Sequence, residues 1–178
     1  MKKIIIKTLK LKEMLNNVRN AVSKDERRPA FGGILLEATG KRLTMTACDG
    51  YKLFTSSCEL LEGSNFSIIS PVFNIFGDLK ENTIIEIDNE EEFITFDFGN
   101  VKISYKIIKD EFIEWKKILE RKDEFSIRFN PKYLKQALSN TNGTVEMFFA
   151  GDKEAVIIKE VENENNQKYI LPIAKRPN

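Results

Sequence analysis

The chain repeats one pattern three times, at an interval of about 60 residues. In each copy a short strand is expected to run into a helix, and three further strands follow. The expected helix starts are Thr8, Ser70 and Asn130, each an N-cap residue type whose side-chain oxygen can accept a hydrogen bond from a free amide of the first turn. A repeated unit of this size must bury its apolar face against its neighbours. The sequence therefore predicts an α+β fold of three tandem β-α-β-β-β units, called repeats below, with helices on one face of antiparallel sheets.

The first repeat has the clearest periodicity. A strand is expected at 4–7, and the following helix is expected to end near Lys24. Its apolar residues recur at helical spacing on one stripe, namely Leu11, Met14, Leu15, Val18 and Val22. Three strands are expected at 31–39, 42–48 and 51–59. Turns are expected at Gly40 and at Asp49-Gly50, because Asp-Gly strongly favours tight hairpins.

The other two repeats follow the same order. The second has an expected strand at 66–70, a helix at 71–79, and strands at 83–88, 92–98 and 101–107. A charged connector with one aromatic anchor, Trp115, is expected over 109–124. The third has an expected strand at 124–129, a helix at 131–139, strands at 144–150, 154–160 and 167–173, and a polar loop at 161–166. These patterns predict one domain at 1–118, made of repeats 1–62 and 63–118, and a half-domain with a C-terminal tail at 119–178.

Composition argues against an enzyme, a membrane protein and a metal protein. The 178 residues include no His, the commonest general acid–base, and no apolar run approaches the ~20 residues of a membrane span. The apolar run Ile4-Ile5-Ile6 is too short for the core of a signal peptide, so the cytoplasm is the expected location. Cys48 and Cys58 lack metal-site spacing and are expected to be reduced thiols. The acidic run 88–92 is more typical of a solvated hairpin turn than of a cation site. A Cys48 nucleophile would have only Lys52 nearby to activate it. No catalytic residue, metal or cofactor is predicted.

Several stretches resemble the bacterial DNA sliding clamps, the β subunits of the replicative DNA polymerase. Residues 28–37 and 43–53 resemble the middle domain of that family, with Cys48, Tyr51 and Lys52 where the family usually has Thr, His and Arg. Residues 109–115 resemble the end of that domain. Residues 129–134 and 169–173 resemble the second half of the last domain. A clamp subunit contains six such repeats and this chain has three, so the resemblance is to a reduced clamp, a fragment or a decayed copy.

The resemblance implies contact with double-stranded DNA, without reading of its sequence. Clamp helices line the inside of a ring and present Lys and Arg to phosphates. Near-equal numbers of basic and acidic residues, 28 and 27, agree with retention by encirclement rather than by net charge. The candidate DNA-facing residues are Lys12, Arg19, Lys24, Lys80, Lys132 and Lys135. The alternative for each is an ordinary solvated cation, and the second helix is barely basic.

The resemblance also implies a pocket for short hydrophobic peptides of partner proteins, between the middle and last domains. The matching positions are Phe31, Cys48, Gly50, Tyr51, Lys52, Leu53, Tyr169, Leu171, Pro172 and Ile173. Apolar anchors in a shallow groove are how such peptides gain affinity. The alternative is core packing for Phe31, Leu53 and Leu171, and a hairpin turn at Gly50.

Together these features predict a non-catalytic, sliding-clamp-like processivity factor and docking platform. Its expected partners are duplex DNA, a DNA polymerase, a clamp loader and other replication or repair proteins. A homo-oligomer is expected: four copies would supply the twelve repeats of a closed clamp ring, and a smaller oligomer through exposed sheet edges is the rival. The alternative functions are a peptide-binding decoy that does not encircle DNA and an inactive remnant.

Overall fold

A computed structural model describes residues 2–75, 81–88, 91–119, 126–139, 141 and 143–173 of the chain. The chain divides into two compact units, Met1–Leu119 and Glu120–Asn178, called the N-terminal and C-terminal units below. Among the helices of the described residues, none has the length and apolar character needed to cross a membrane.

The first repeat begins with strand β1 (Lys2–Lys7) and helix α1 (Thr8–Val18). Strands β2 (Gly33–Thr39), β3 (Arg42–Cys48) and β4 (Leu53–Glu59) follow. The turns between them contain Gly40 at φ 55° and Gly50 at φ 93°, a left-handed conformation that glycine adopts without steric cost. Both hairpin turns lie where the sequence predicted them.

Helix α1 differs from the prediction at both ends. Thr8 is the first helical residue rather than the N-cap, and its hydroxyl lies 2.8 Å from that of Thr83, so it makes a buried tertiary hydrogen bond. After Val18 a 3₁₀ turn, Arg19–Ala21, ends the helical segment before Lys24. The Ser23 amide donates to the carbonyl of Phe31 at 2.8 Å, which draws the chain into an extended path.

The second repeat contains β5 (Phe66–Pro71), β6 (Asn82–Ile87), β7 (Phe93–Asp97) and β8 (Lys102–Lys106). The prediction of a helix beginning at Ser70 is wrong, because Ser70 and Pro71 pair with β2 and continue the strand. The Ser70 hydroxyl donates to the Pro71 carbonyl and caps no helix. Residues 72–75 are irregular, and 76–79 lie outside the described residues.

The first two repeats exchange their first strands. β1 joins the second repeat's strands in the order β1-β6-β7-β8, and β5 joins the first repeat's strands in the order β4-β3-β2-β5. Both sheets are antiparallel, with Ile5 opposite Ile84 and Leu35 opposite Ile69. Each four-stranded sheet is therefore completed by a strand of the other repeat.

Alternation along β2 separates two apolar clusters of the N-terminal unit. Ile34 and Leu36 point into the main core, where α1 contributes its buried stripe and Phe73 lies against Phe96 with ring centroids 4.1 Å apart. Leu35 points the other way, into a smaller group called the second cluster. Its members are Ala30, Phe31, Leu35, Cys48 and Ile69, with Leu53, Ile108, Phe112, Ile113 and Trp115 packed against them.

The segment after β8 leads into a short helix, α2 (Trp115–Leu119), held by a carboxylate of β2. The indole N–H of Trp115 donates to Glu37 at 2.9 Å, and the Lys116 ammonium lies 2.8 Å from the other oxygen of that carboxylate. Trp115 thus anchors this segment to the N-terminal unit.

The C-terminal unit holds the third repeat. Helix α3 (Pro131–Leu138) begins after Asn130, whose side chain accepts a hydrogen bond from the Lys132 amide at 2.9 Å, as an N-cap should. Strands β9 (Val145–Phe148), β10 (Val156–Glu160) and β11 (Asn163–Ile170) form a sheet in the order β11-β10-β9. Two predictions are wrong here: residues 126–129 form no strand, and the loop expected at 161–166 is a tight turn with β11 starting at Asn163.

Candidate functional site

Two of the predicted DNA-facing cations lie on the solvent side of α1 and its 3₁₀ extension. Lys12 and Arg19 are seven residues apart, which places them on one face of a helical segment, and both are exposed. The Arg19 guanidinium donates to the Asn74 side chain at 3.1 Å. The neighbouring Lys10 pairs with Glu13 at 2.7 Å, and this hydrogen bond raises the pKa of Lys10. The outer face of α1 is therefore polar and presents Lys12 and Arg19 to solvent.

The other predicted cations fall in different places. Lys24 lies in the loop after α1, not on the helix. Lys132 and Lys135 are exposed on α3, three residues apart on adjoining turns of the helix. Lys80 lies outside the described residues.

A cavity of about 670 Å³, called the cationic cavity, opens between the loop after α1 and the turn between β3 and β4. Its lining is strongly charged, with four cations and two carboxylates. The lining residues are Asn20, Val22, Ser23, Lys24, Asp25, Arg27, Arg28, Asp49, Gly50, Tyr51 and Lys52. Among the predicted site residues, Lys24, Gly50, Tyr51 and Lys52 meet here.

Asp49 organises one wall of the cationic cavity. Its carboxylate accepts hydrogen bonds from the amides of Tyr51 and Lys52, each at 3.0 Å, and its second oxygen lies 2.8 Å from the Lys52 ammonium. The hydrogen bond from the Lys52 side chain, together with the two amides, lowers the pKa of Asp49 to about 2. Because Gly50 takes the left-handed turn, Tyr51 projects into solvent and is 99% exposed.

Asp25 is neutralised in a similar way on the opposite wall. Its two oxygens accept from Nε and Nη2 of Arg27, both at 2.9 Å, and this pairing lowers the pKa of Asp25. Both carboxylates of the cavity are thus occupied by their own cations. Lys24 and Arg28 form no ion pair within the described residues, and the Arg28 guanidinium lies 5.6 Å from the centroid of the Phe31 ring. The cavity therefore offers two cations to an anionic group.

The first side of the predicted peptide pocket lies mostly in the second cluster. Phe31 is 8% exposed and Cys48 is 5% exposed, and Leu53 is half-buried beside them. The Phe31 ring meets Phe112 edge to face, and the Cys48 thiol accepts a hydrogen bond from the Gly50 amide at 3.3 Å. These apolar positions lie together, but Phe31 and Cys48 present little surface to a ligand.

The second side of the predicted pocket belongs to the C-terminal unit. Tyr169, Leu171 and Ile173 are exposed, and Pro172 is half-buried. Leu171 is 75% exposed, which is unusual for a large apolar side chain next to a strand. These side chains form the most apolar exposed segment among those predicted to bind a partner.

Sequence reasoning did not include Asp25, Arg27, Arg28 and Asp49 in the site. The local signals were present, because Asp25 and Arg27 are two residues apart in a charged bend and Asp49 begins a glycine turn. What joins the two segments is the tertiary fold. Within the described parts of the chain, no three His, Cys, Asp or Glu side chains come together as a metal site would require.

Comparison with known proteins identifies the relatives of these repeats. The family model for the DNA polymerase III beta subunit, central domain, matches residues 5–114. The beta sliding clamp of Buchnera aphidicola subsp. Acyrthosiphon pisum is 28% identical over 137 residues, which cover 72% of this chain and 36% of that protein. This chain therefore spans about a third of the length of that curated relative.

Solved structures agree on the fold. The DNA polymerase III beta chain of Streptococcus pneumoniae has a TM-score of 0.79 at 21% identity, covering 98% of this chain and 50% of that one. The beta sliding clamp of C. crescentus also has a TM-score of 0.79, at 16% identity, covering 96% and 50%. The sliding clamp of Bacillus subtilis has a TM-score of 0.78 at 19% identity, covering 96% and 49%. These matches confirm the predicted α+β fold of clamp-like repeats.

Proposed function

The chain belongs to the DNA polymerase III beta-subunit family, and on that premise we propose that it is a sliding-clamp-like processivity factor. In this role it holds duplex DNA and docks a DNA polymerase, a clamp loader and other replication or repair proteins. It performs no chemistry of its own, and it works in the cytoplasm. The proposal extends to this chain a role known for a family whose members are longer.

The observation that carries the proposal is the outer face of α1. The main core fixes α1 against β3 and β4 through its buried stripe, so Lys12 and Arg19 are directed to solvent. Seven residues of helix separate them by about 10 Å, far enough to contact different phosphates. Because such contacts involve the backbone of DNA alone, they carry no sequence preference.

The DNA contact is tested by removing charge without changing helix propensity. We expect the combined substitutions Lys12→Gln, Arg19→Gln, Lys132→Gln and Lys135→Gln to weaken binding to duplex DNA at low salt. The slope of log K against log salt should become shallower by about 0.9 for each phosphate that the variant no longer neutralises. The control carries Lys41→Gln and Lys153→Gln, two exposed turn lysines outside the proposed face. Equally weakened binding in both variants would contradict a defined DNA-facing surface.

A peptide-binding decoy that does not encircle DNA is the second candidate function. The observation in its favour is the exposed apolar segment of Tyr169, Leu171 and Ile173. We expect Leu171→Asp to weaken binding of a fluorescent peptide with a short hydrophobic clamp-binding motif by about tenfold, as removal of one apolar anchor implies. Val161→Asp is the control, since Val161 is 49% exposed in the same unit.

The two experiments together separate the candidates. DNA binding that depends on the four cations, with peptide binding intact in that variant, supports the processivity factor. Peptide binding that depends on Leu171, in a chain that never binds DNA at low salt, supports the decoy. A chain that binds neither DNA nor peptide contradicts both.

A further inference from the structure

Among the described residues, the third repeat has no counterpart to the strand exchange that joins the first two repeats. In the N-terminal unit, β2 and β6 each have a neighbour on both edges because the other repeat supplies a first strand. Within the described residues, β9 has a neighbour on one edge only, and residues 126–130 pair with no β-strand. Helix α1 has five buried residues, whereas α3 has none. In the part of the third repeat that the structure describes, the outer edge of β9 is therefore open.

One backbone hydrogen bond aligns the first segments of the three repeats. In each case an amide two or three residues beyond the end of the last strand donates back to the first segment. The bonds run from Leu61 to the carbonyl of Ile5 at 2.8 Å, from Ile108 to that of Ile69 at 2.9 Å, and from Ile173 to that of Arg128 at 2.7 Å. Arg128 therefore occupies the position of Ile5 and Ile69. Spacing to the helix agrees, because Lys7 and Asn130 are the N-cap residues and each lies two positions further on.

Strand register then aligns the edge strands β2, β6 and β9. Six residues before the donating amide lie Thr55, Lys102 and Gln167. In the first sheet, Thr55 pairs with Thr46, which pairs with Leu35. In the second, Lys102 pairs with Asp97, which pairs with Ile84. In the third, Gln167 pairs with Lys159, which pairs with Glu146. Glu146 therefore occupies the position of Leu35 and Ile84. In the N-terminal unit those are the residues that face Ile69 and Ile5.

We propose that two copies of this chain complete each other's third repeat by the same strand exchange. Residues 126–130 of each copy pair with β9 of the other, antiparallel, with Arg128 opposite Glu146 of the second copy. The same register sets Ile127 opposite Met147 and Phe129 opposite Val145. The result is a two-fold symmetric domain with two four-stranded sheets, equivalent to the one that the first two repeats form within the chain.

The side chains at these positions suit that pairing. Arg128 and Glu146 are both exposed, and neither forms an ion pair within the described residues. They place opposite charges where the N-terminal unit pairs Ile5 with Ile84 and Leu35 with Ile69. An opposite-charge pair across two strands is stabilising, whereas like charges there are not. Ile127, Phe129 and Val145 are half-buried apolar residues, and Met147 is 36% exposed although it pairs with the fully buried Ile158. Pairing covers these side chains and leaves the charged pair on the outer face.

The partner of β9 is a second copy of this chain, because both segments that would pair, residues 126–130 and β9, belong to the same repeat. A two-fold interface is self-complementary: if segment 126–130 of one copy meets β9 of the other, the reverse contact follows by symmetry. The interface between the first two repeats is the precedent for this geometry in the same chain. The inference does not depend on DNA or peptide binding, so it can hold whether or not the proposed function does.

The first test is the solution mass of the full chain by light scattering over a hundredfold range of concentration. We expect a species of twice the chain mass of 20.5 kDa or an even multiple of it. Arg128→Glu and Glu146→Arg, made singly, should each weaken this association about tenfold, because two symmetric pairs become like-charged. The double variant restores opposite charges and should return association to the parental level. Lys153→Glu and Glu154→Arg are the matched controls, exposed and of the same charge change in the β9–β10 turn.

The second test checks the register directly by cross-linking. One preparation carries Arg128→Cys and another Glu146→Cys, with different tags. Directly opposed residues of antiparallel strands lie within the Cα separation that a disulfide spans. On oxidation the mixture should form covalent heterodimers, while each preparation alone should form no more than the parental chain with Cys48 and Cys58.

Any of three results would overturn the proposal. They are a single-chain mass at every concentration, an association that the two charge reversals weaken no more than their controls do, and cross-linking in the separate preparations equal to that in the mixture. Charge reversal at exposed sites leaves folding intact. Circular dichroism of each variant verifies this before the masses are compared.

Discussion

Two adjacent glycines, Gly32 just before β2 and Gly33 at its start, differ sharply in the space around them. An ideal Cβ on Gly33 would lie 2.5 Å from Cγ2 of Ile69, 2.8 Å from Cδ1 of Ile108 and 2.8 Å from the Ser70 carbonyl oxygen. An ideal Cβ on Gly32 would have no atom within 4 Å. Gly33 has φ −118° and ψ −176°, an extended conformation open to any residue, so only the close approach requires glycine there. We therefore expect Gly33→Ala to be destabilising and Gly32→Ala to be harmless.

The magnitude follows from what must move. The Ser70 carbonyl belongs to the β5 backbone paired with β2, and Ile69 Cγ2 is fixed at a branched carbon, so neither can retreat without loosening the sheet. Overpacking of this kind typically costs about 1–3 kcal/mol. Gly→Ala also restricts the unfolded chain, which favours folding by about 0.4–1 kcal/mol at an unstrained site. Because that contribution is common to both substitutions, the two variants should differ by about 1–3 kcal/mol in free energy of unfolding.

The assay is urea unfolding followed by the fluorescence of Trp115. It is the single tryptophan of the chain and packs in the second cluster with Ile69 and Ile108, so it reports on the perturbed region. We expect a lower midpoint for Gly33→Ala with an unchanged slope, since a change in slope would indicate an altered unfolded state. Equal midpoints for the two variants would refute the steric argument.

Two further predictions concern the core and the cavity. Phe96→Ala should lower the free energy of unfolding by about 3–5 kcal/mol, because Phe96 is fully buried against Phe73. Phe93→Ala, at a 44% exposed position, should lower it far less in the same urea assay. Similar effects of the two substitutions would contradict the packing described for the main core. Asp49 has its pKa held at about 2 by Lys52, below the ~3.9 of an unfolded aspartate, so its contribution to stability is present above pH ~4 and disappears as pH falls toward 2. Lys52→Gln should raise the pKa of Asp49 in an NMR carboxylate titration, and an unchanged pKa would contradict the assigned cause.

Local patterns in the sequence determined most of the elements. The stripe of Leu11, Met14, Leu15 and Val18 specified α1, because these residues recur at the period of a helix and form one buried face. Tight turns at Gly40 and Gly50 followed from residues that favour a left-handed conformation. The Asn130 cap could be predicted because its hydrogen bond joins residues only two positions apart.

Long-range pairing determined the local structure at positions where the local sequence signals were weak or conflicting. Ser70-Pro71 has the composition of a helix start, but sheet pairing with β2 extends the strand through both residues. Thr8 has the composition of an N-cap, yet its hydroxyl meets Thr83, which is distant in sequence. In both places a buried tertiary contact satisfies the polar groups that the local motif would have satisfied.

The candidate functional site likewise includes residues that local sequence identified and residues that only the tertiary structure brought together. Residue types and family resemblance were enough to single out Lys12, Arg19 and the C-terminal apolar segment, because helical period and hydrophobicity can be recognised in a single segment. The cationic cavity was not predictable, since it exists only where the loop after α1 meets the β3–β4 turn. The exchange of β1 and β5 was also not predictable from the sequence. The sequence by itself determined that there are three repeats, and the tertiary structure decided which repeat completes which sheet. A strand edge can be satisfied by any chain of matching register, so local sequence alone does not select its partner.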